Sequence, residues 1–162
     1  MLSNQNLLIL GLGNVLLGDE GVGIHIINGL KKKLLPDCVS IIDGGTMGLS
    51  LIDTISGYQE TLVVDAVRGE SLPDLRFFSL KEIISKENER NNFSLHSVGF
   101  DSVLKLMDTL ELKVPDITVL GIRIDEISPG IGLSSQCGKV VSRAVTMIME
   151  KINDYRRKYH VR

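Results

Sequence analysis

From Asn6 to Gly13 the chain reads NLLILGLG, an apolar run stopped by glycines and without polar alternation. A strand solvated on one face alternates, so this run predicts a central strand covered on both faces of a parallel sheet. From Asp19 the period becomes helical: Val22, Ile26, Ile27, Leu30 and Leu34 share one stripe, Lys31, Lys32 and Lys33 stand near the end, where cations complement the macrodipole, and Pro36 ends the helix. CVSIID (Cys38 to Asp43) and TLVVDAV (Thr61 to Val67) repeat the strand signal, and the second half of GGTMGLSLIDTISGY between them predicts a short helix. LRFFSL (Leu75 to Leu80) is a weaker strand, and SKENERNNFS (Ser85 to Ser94) reads as a polar loop. SVGFDSVLKLMDTL then predicts a helix, DITVLGIRI a buried strand, and SSQCGKVVSRAVTMIMEKINDY a long final helix. Strands alternating with helices to the end predict a three-layer, doubly wound α/β fold with a mostly parallel sheet and helices on both faces.

Length changes this picture little: 162 residues are one ordinary domain, so residues 1–162 are expected to form a single domain. Eighteen basic against twenty acidic residues, a net charge of -2, leave no electrostatic footprint for nucleic acid. Cys38 and Cys137 lack CxxC spacing, which argues against a disulfide framework or a thiolate metal site and fits a reducing compartment. Leu7 to Leu10 is too short to span a bilayer or to act as a signal peptide, so the expectation is a soluble, cytoplasmic protein without a membrane partner.

The first chemistry is in GLGNVLLGDEGVG, Gly11 to Gly23. Glycines here serve close strand-to-helix packing in any α/β protein, and they also begin the dinucleotide fingerprint. That fingerprint is incomplete, since Leu16 occupies its third glycine position and no Lys-Ser/Thr pair makes a P-loop. Asp19 and Glu20 fall near the start of the next helix, where one acid is expected as a cap or dipole partner. Two carboxylates there repel a pyrophosphate and suit a cation.

In open α/β sheets ligands collect beyond the carboxyl ends of the strands, where strand order reverses. The first strand leads to Glu20, the second ends in Asp43 and the third in Asp65, which puts three acids at one edge. A lone Asp at a strand end is most often a turn or cap, but Asp65 sits inside VVDAV, where an unpaired carboxylate is costly. Of the three histidines, His25 falls off the apolar stripe and reads as solvated, and His160 in YRRKYHVR reads as a frayed end. His96 stands where a polar loop enters a helix on the ligand side. Glu20, Asp65 and His96 together would offer a divalent transition metal three protein ligands and leave positions open for a substrate.

In order and spacing, GLGNVLLGDEGVG, DGGTMG, VVDAV and LHSVG resemble the endopeptidases that mature nickel-iron hydrogenases, and the resemblance runs on through SPGIGLS. It implies an enzyme that removes a C-terminal extension from the hydrogenase large-subunit precursor after nickel insertion. It further implies that Glu20, Asp65 and His96 bind the metal and that Asp43, the aspartate of the DGG turn, assists substrate positioning or hydrolysis. Catalytic work would then fall to Asp43, Glu20 and Asp65. The nickel would arrive with the substrate, without a permanent cofactor, other divalent transition metals could enter the site in vitro, and the protein would act as a monomer. Two chemical routes stay open: metal-assisted hydrolysis, or an aspartic-type mechanism with a carboxylate as general base. The rival from another class is a non-hydrolytic metal-binding chaperone for hydrogenase assembly. The same three ligands would serve it, but the chain lacks the His-rich or Cys-rich tracts such proteins use for exchange.

Overall fold

The computed structural model describes residues 6–68, 74–82, 94–95 and 100–160. The expected loop over residues 85–93 and His96 lie outside them. Six strands form one sheet: β1 (Leu7–Leu12), β2 (Val39–Gly45), β3 (Glu60–Arg68), β4 (Leu75–Ser79), β5 (Ser94–Leu95) and β6 (Asp116–Arg123). Their order is β2-β1-β3-β6-β4, with β2, β1, β3 and β6 mutually parallel and β4 antiparallel at the edge. β1 is interior, as its apolar run predicts, but β3 holds the centre.

Strand alternation sorts the core into two layers. Leu7, Ile9, Leu62, Val64, Ala66, Leu120 and Ile122 face helices α1 (Val22–Leu30) and α4 (Ser135–Tyr159). Leu8, Leu10, Leu12, Val63, Val67 and Val119 face α2 (Leu51–Ser56) and α3 (Phe100–Thr109). The result is the expected α/β sandwich with helices on both faces.

The first helix is shorter than its stripe suggests. Gly18–Gly21 form a 3-10 turn, α1 begins only at Val22 and stops at Leu30, and Leu34 is 96% exposed rather than part of the buried stripe. After Leu30 the chain leaves the helix through three exposed lysines, and Leu35 returns to pack against the core. The last helix instead runs past Tyr155 to Tyr159 and is closed by His160 in the left-handed conformation (φ 53°), so His160 is a helix cap and not a frayed end. Among the described residues no helix is long and apolar enough to cross a membrane.

Candidate active site at the carboxyl edge of the sheet

The chain goes from β1 to β2 on one side and then to β3 on the other, so strand order reverses between β1 and β3. The first turn of α1 is seated on that point. A Cβ on Gly23 would lie 2.3 Å from the carbonyl oxygens of both Leu12 and Val64, so only glycine lets the helix start against the two strand ends. Gly13 has φ 126°, and a Cβ there would meet the Glu20 carbonyl at 2.0 Å. These two glycines serve close packing, and they fold the turn that carries Asp19 and Glu20 back over β3.

The two acids of that turn have different surroundings. Neither caps α1, whose N-cap is Gly21 without a side-chain hydrogen bond. Asp19 reaches across to the final helix, where its carboxylate accepts from Ser134 N and Ser134 Oγ, both at 2.7 Å. Ser134 is the N-cap of α4, its Oγ accepting from Cys137 N at 3.1 Å. The cap role expected at the start of α1 is filled by neither acid; Asp19 instead holds Ser134, the residue that caps α4 more than a hundred residues away. Burial and the neighbouring Asp19 push the Cys137 thiol up to about 12, which keeps it protonated and inert at neutral pH.

Glu20 is buried, 7% exposed, and its Oε2 has no hydrogen-bond partner among the described residues. Burial raises its carboxyl above the ordinary value because the charged form loses its hydration.

Asp65 is fully buried, and its Oδ1 accepts from Ala66 N at 2.8 Å. It does not end β3, as the sequence suggests, since the strand continues to Arg68. Instead it stands one residue past the point where pairing with β1 stops, at Gly11 opposite Val64. On that side β5 takes over, Leu95 and Ser94 pairing antiparallel with Val67 and Arg68. Asp65 thus lies where β1 has ended and β5 has not begun.

Asp43 is exposed and lies opposite Gly11 in β2, which runs on to Gly45; its Oδ1 accepts from Gly45 N at 3.0 Å in a local turn. His25, expected to be solvated, is half-buried between Ile24 and Ile26 in α1. His96 lies outside the described residues, and among those residues no three His, Cys, Asp or Glu side chains form a metal-holding group. The fold therefore carries Glu20, Asp43 and Asp65 to one edge of the sheet. Sequence reasoning missed Ser134, although a serine three residues ahead of a buried position at a helix start is the usual N-cap signal.

A family model described as hydrogenase maturation protease matches residues 24–151, most of the chain. The chain belongs to the hydrogenase maturation protease family. It is 26% identical over 151 residues to the hydrogenase 2 maturation protease of Escherichia coli, covering 93% of this chain and 92% of that one. Among solved structures it is similar to the hydrogenase maturating endopeptidase HybD of E. coli, with a TM-score of 0.79 at 25% identity over 93% of each chain. It is likewise similar to the NiFe hydrogenase maturation protease HybD of Thermococcus kodakarensis, with a TM-score of 0.74 at 26% identity over 91% of this chain and 99% of that one. Both the sequence resemblance and the doubly wound fold agree with these relatives, and membership makes the protein an endopeptidase, a hydrolase.

Proposed function

We propose that this endopeptidase works in the cytoplasm on a nickel-iron hydrogenase large-subunit precursor, removing its C-terminal extension once nickel is in place. Glu20, Asp65 and His96 read the nickel that the precursor brings. The observation that carries this reading is Glu20, a buried carboxylate whose Oε2 is unpartnered among the described residues, in a turn at the switch point of the sheet. A buried, uncompensated carboxylate is unfavourable unless something cationic arrives. An oxygen donor of this kind, with Asp65 on the adjacent strand, fits a divalent transition metal. Ser94–Leu95, which precede His96 in the chain, pair with β3 just beyond Asp65.

Each residue then has a distinct task. Glu20 and Asp65 favour the loaded precursor by charge, in a half-buried cleft where attraction to a cation is several times its strength in water. His96 adds a neutral donor. Asp43, exposed on the neighbouring strand, meets the peptide and assists its positioning or its hydrolysis, as general base in an aspartic-type route or beside the metal in a metal-assisted one. A precursor without nickel leaves the Glu20 carboxylate uncompensated, so recognition and quality control become one event. The enzyme itself, dialysed against a chelator, retains no stoichiometric metal, because two carboxylates and one imidazole hold an ion less tightly than a closed four-ligand site.

The test is incubation with matched nickel-loaded and nickel-free precursor, with the large subunit followed by mass spectrometry. Shortening of the loaded form alone is expected. Equal cleavage of both forms would remove metal reading. Binding of the loaded form without any shortening would identify a chaperone.

A further inference from the structure

Three loops leave the carboxyl edge of the sheet around the candidate site, and each carries large apolar side chains into solvent. The loop after β1 exposes Val15 (39%) and Leu16 (61%), the one after β2 exposes Met47 (47%) and Leu49 (55%), and the one after β6 exposes Ile131 (89%). The other large apolar residues exposed among the described ones are Leu34, Leu110 and Leu112. These lie on the connections entering β2 and β6, at the opposite end of the sheet, on strands separated by β1 and β3. They are scattered, whereas the five at the carboxyl edge stand on loops that are tied to one another. Gly13 N donates to Gly45 O at 3.1 Å, Gly18 N to Gly130 O at 2.9 Å, and Gly130 N to Leu16 O at 2.9 Å. The Asp19–Ser134 pair anchors the third loop to the first.

The fold itself does not require these apolar residues. The turns are made by glycines in the left-handed region, Gly48 (φ 56°) between Met47 and Leu49 and Gly132 (φ 90°) beside Ile131, and polar turn formers would serve next to them equally well. Isolated exposed apolar residues are ordinary, but a group held together on braced loops marks an interaction surface. The braced loops also fix the occupant's chemistry. The collar surrounds acids, so its partner is apolar around a cationic centre, and side chains this exposed, spread over three loops, suit an extended protein surface rather than a small molecule, which needs an enclosing pocket.

We infer that Leu16, Met47, Leu49 and Ile131 form a docking collar for a folded partner, the apolar surface of the large-subunit precursor that flanks its metal-bearing cleavage segment. The partner's identity rests on the function proposed above. Docking of this kind is uniform binding, equal in the ground state and the transition state, so it acts on KM and not on kcat.

The test compares wild type with Leu16→Ser/Met47→Ser/Ile131→Ser, and with Ile131→Ser alone, on purified nickel-loaded precursor. The expected result is a KM at least tenfold higher for the triple variant and severalfold higher for Ile131→Ser. In both, kcat stays within twofold and thermal stability is unchanged, because the replaced side chains are exposed. Unchanged KM in both variants, with wild type cleaving normally, would overturn the collar and leave the proposed function standing. A wild-type dimer that these substitutions dissociate, with cleavage unaffected, would also overturn it by assigning the collar to a second copy of this chain. If wild type cut no precursor at all, the proposed function would fall and the collar's partner with it.

Discussion

Glu20 and Glu60 are buried to nearly the same degree, 7% and 9% exposed, at opposite ends of one sheet. Glu60 opens β3, and its Oε1 accepts from Lys158 Nζ at 2.5 Å and from Tyr159 OH at 2.7 Å, both on the last turn of α4. The interaction raises the Lys158 ammonium above its ordinary value, chiefly through the Glu60 hydrogen bond. Glu20 has no such partner on its buried oxygen among the described residues, although the same fold supplies cations freely elsewhere. The paired acid clips the end of a long helix to the sheet. The unpaired one leaves free energy available to a ligand. An acid buried with its counter-charge is architecture, and an acid buried without one is the better candidate for function.

The largest effect expected from breaking this contrast is on activity. Glu20→Gln keeps the size and removes the charge, so the fold survives and several kcal/mol of attraction to the cation are lost. At about 1.4 kcal/mol per tenfold, processing of loaded precursor falls by roughly a hundredfold or more, and Asp65→Asn behaves likewise. Normal cutting by Glu20→Gln would show that the turn does not read charge. The same variant has a signature without substrate. Since the folded-state pKa of Glu20 is raised, ionising it opposes folding, and its contribution is most favourable at low pH and declines as pH rises through the folded-state value. Thermal scans from pH 4 to pH 7 should therefore show wild type losing stability relative to Glu20→Gln. A constant gap between the two would contradict an uncompensated carboxylate.

Glu60→Ala should do the reverse, removing about 2–3 kcal/mol of stability through two lost hydrogen bonds, one of them charged. Cleavage per folded molecule should not change. A shift in KM would tie this end of the sheet to the substrate after all.

Asp19→Ala sharpens the comparison, because its acid is adjacent to Glu20 yet structural. Losing both bonds to Ser134 should lower stability by about 1–2 kcal/mol, the usual net worth of hydrogen bonds to a charged group near the surface. It should also weaken processing less than Glu20→Gln does, with Asp19→Asn recovering part of each loss. Equal loss of activity in the two variants would make Asp19 a partner in the chemistry.

The smallest change lies away from both acids. Helix α3 ends with Leu112 N donating to Met107 O at 2.9 Å and Glu111 N to Asp108 O at 3.0 Å, a Schellman closure with Glu111 at φ 52°. Glycine is free in that conformation, so Glu111→Gly should stabilise by roughly 1 kcal/mol in chemical denaturation and leave activity unchanged.

Much of the candidate site can be read along the chain. The apolar run of β1 and the VVDAV of β3 are buried strands because helices cover both faces of a parallel sheet and leave its inner strands no polar face. The rule that ligands gather at the carboxyl edge then selects Glu20, Asp43 and Asp65 without any coordinates. Boundaries are less legible. α1 is shorter than its stripe, and β2 runs past Asp43 to Gly45, because where an element stops depends on what its last residues can pack against.

The sequence by itself determined the layer order, the parallel sheet and the acids' arrival at one edge, since these follow from periodicity and from strand-to-helix alternation, which are local. Only the tertiary structure decided how the neighbouring acids Asp19 and Glu20 divide their work. Asp19 is satisfied by Ser134, over a hundred residues away, and Glu20 is buried without a partner on Oε2 among the described residues. Adjacent positions in a chain share composition and spacing. Whether a carboxylate is neutralised depends on which distant groups the packing brings within about 3 Å, and no local pattern encodes that.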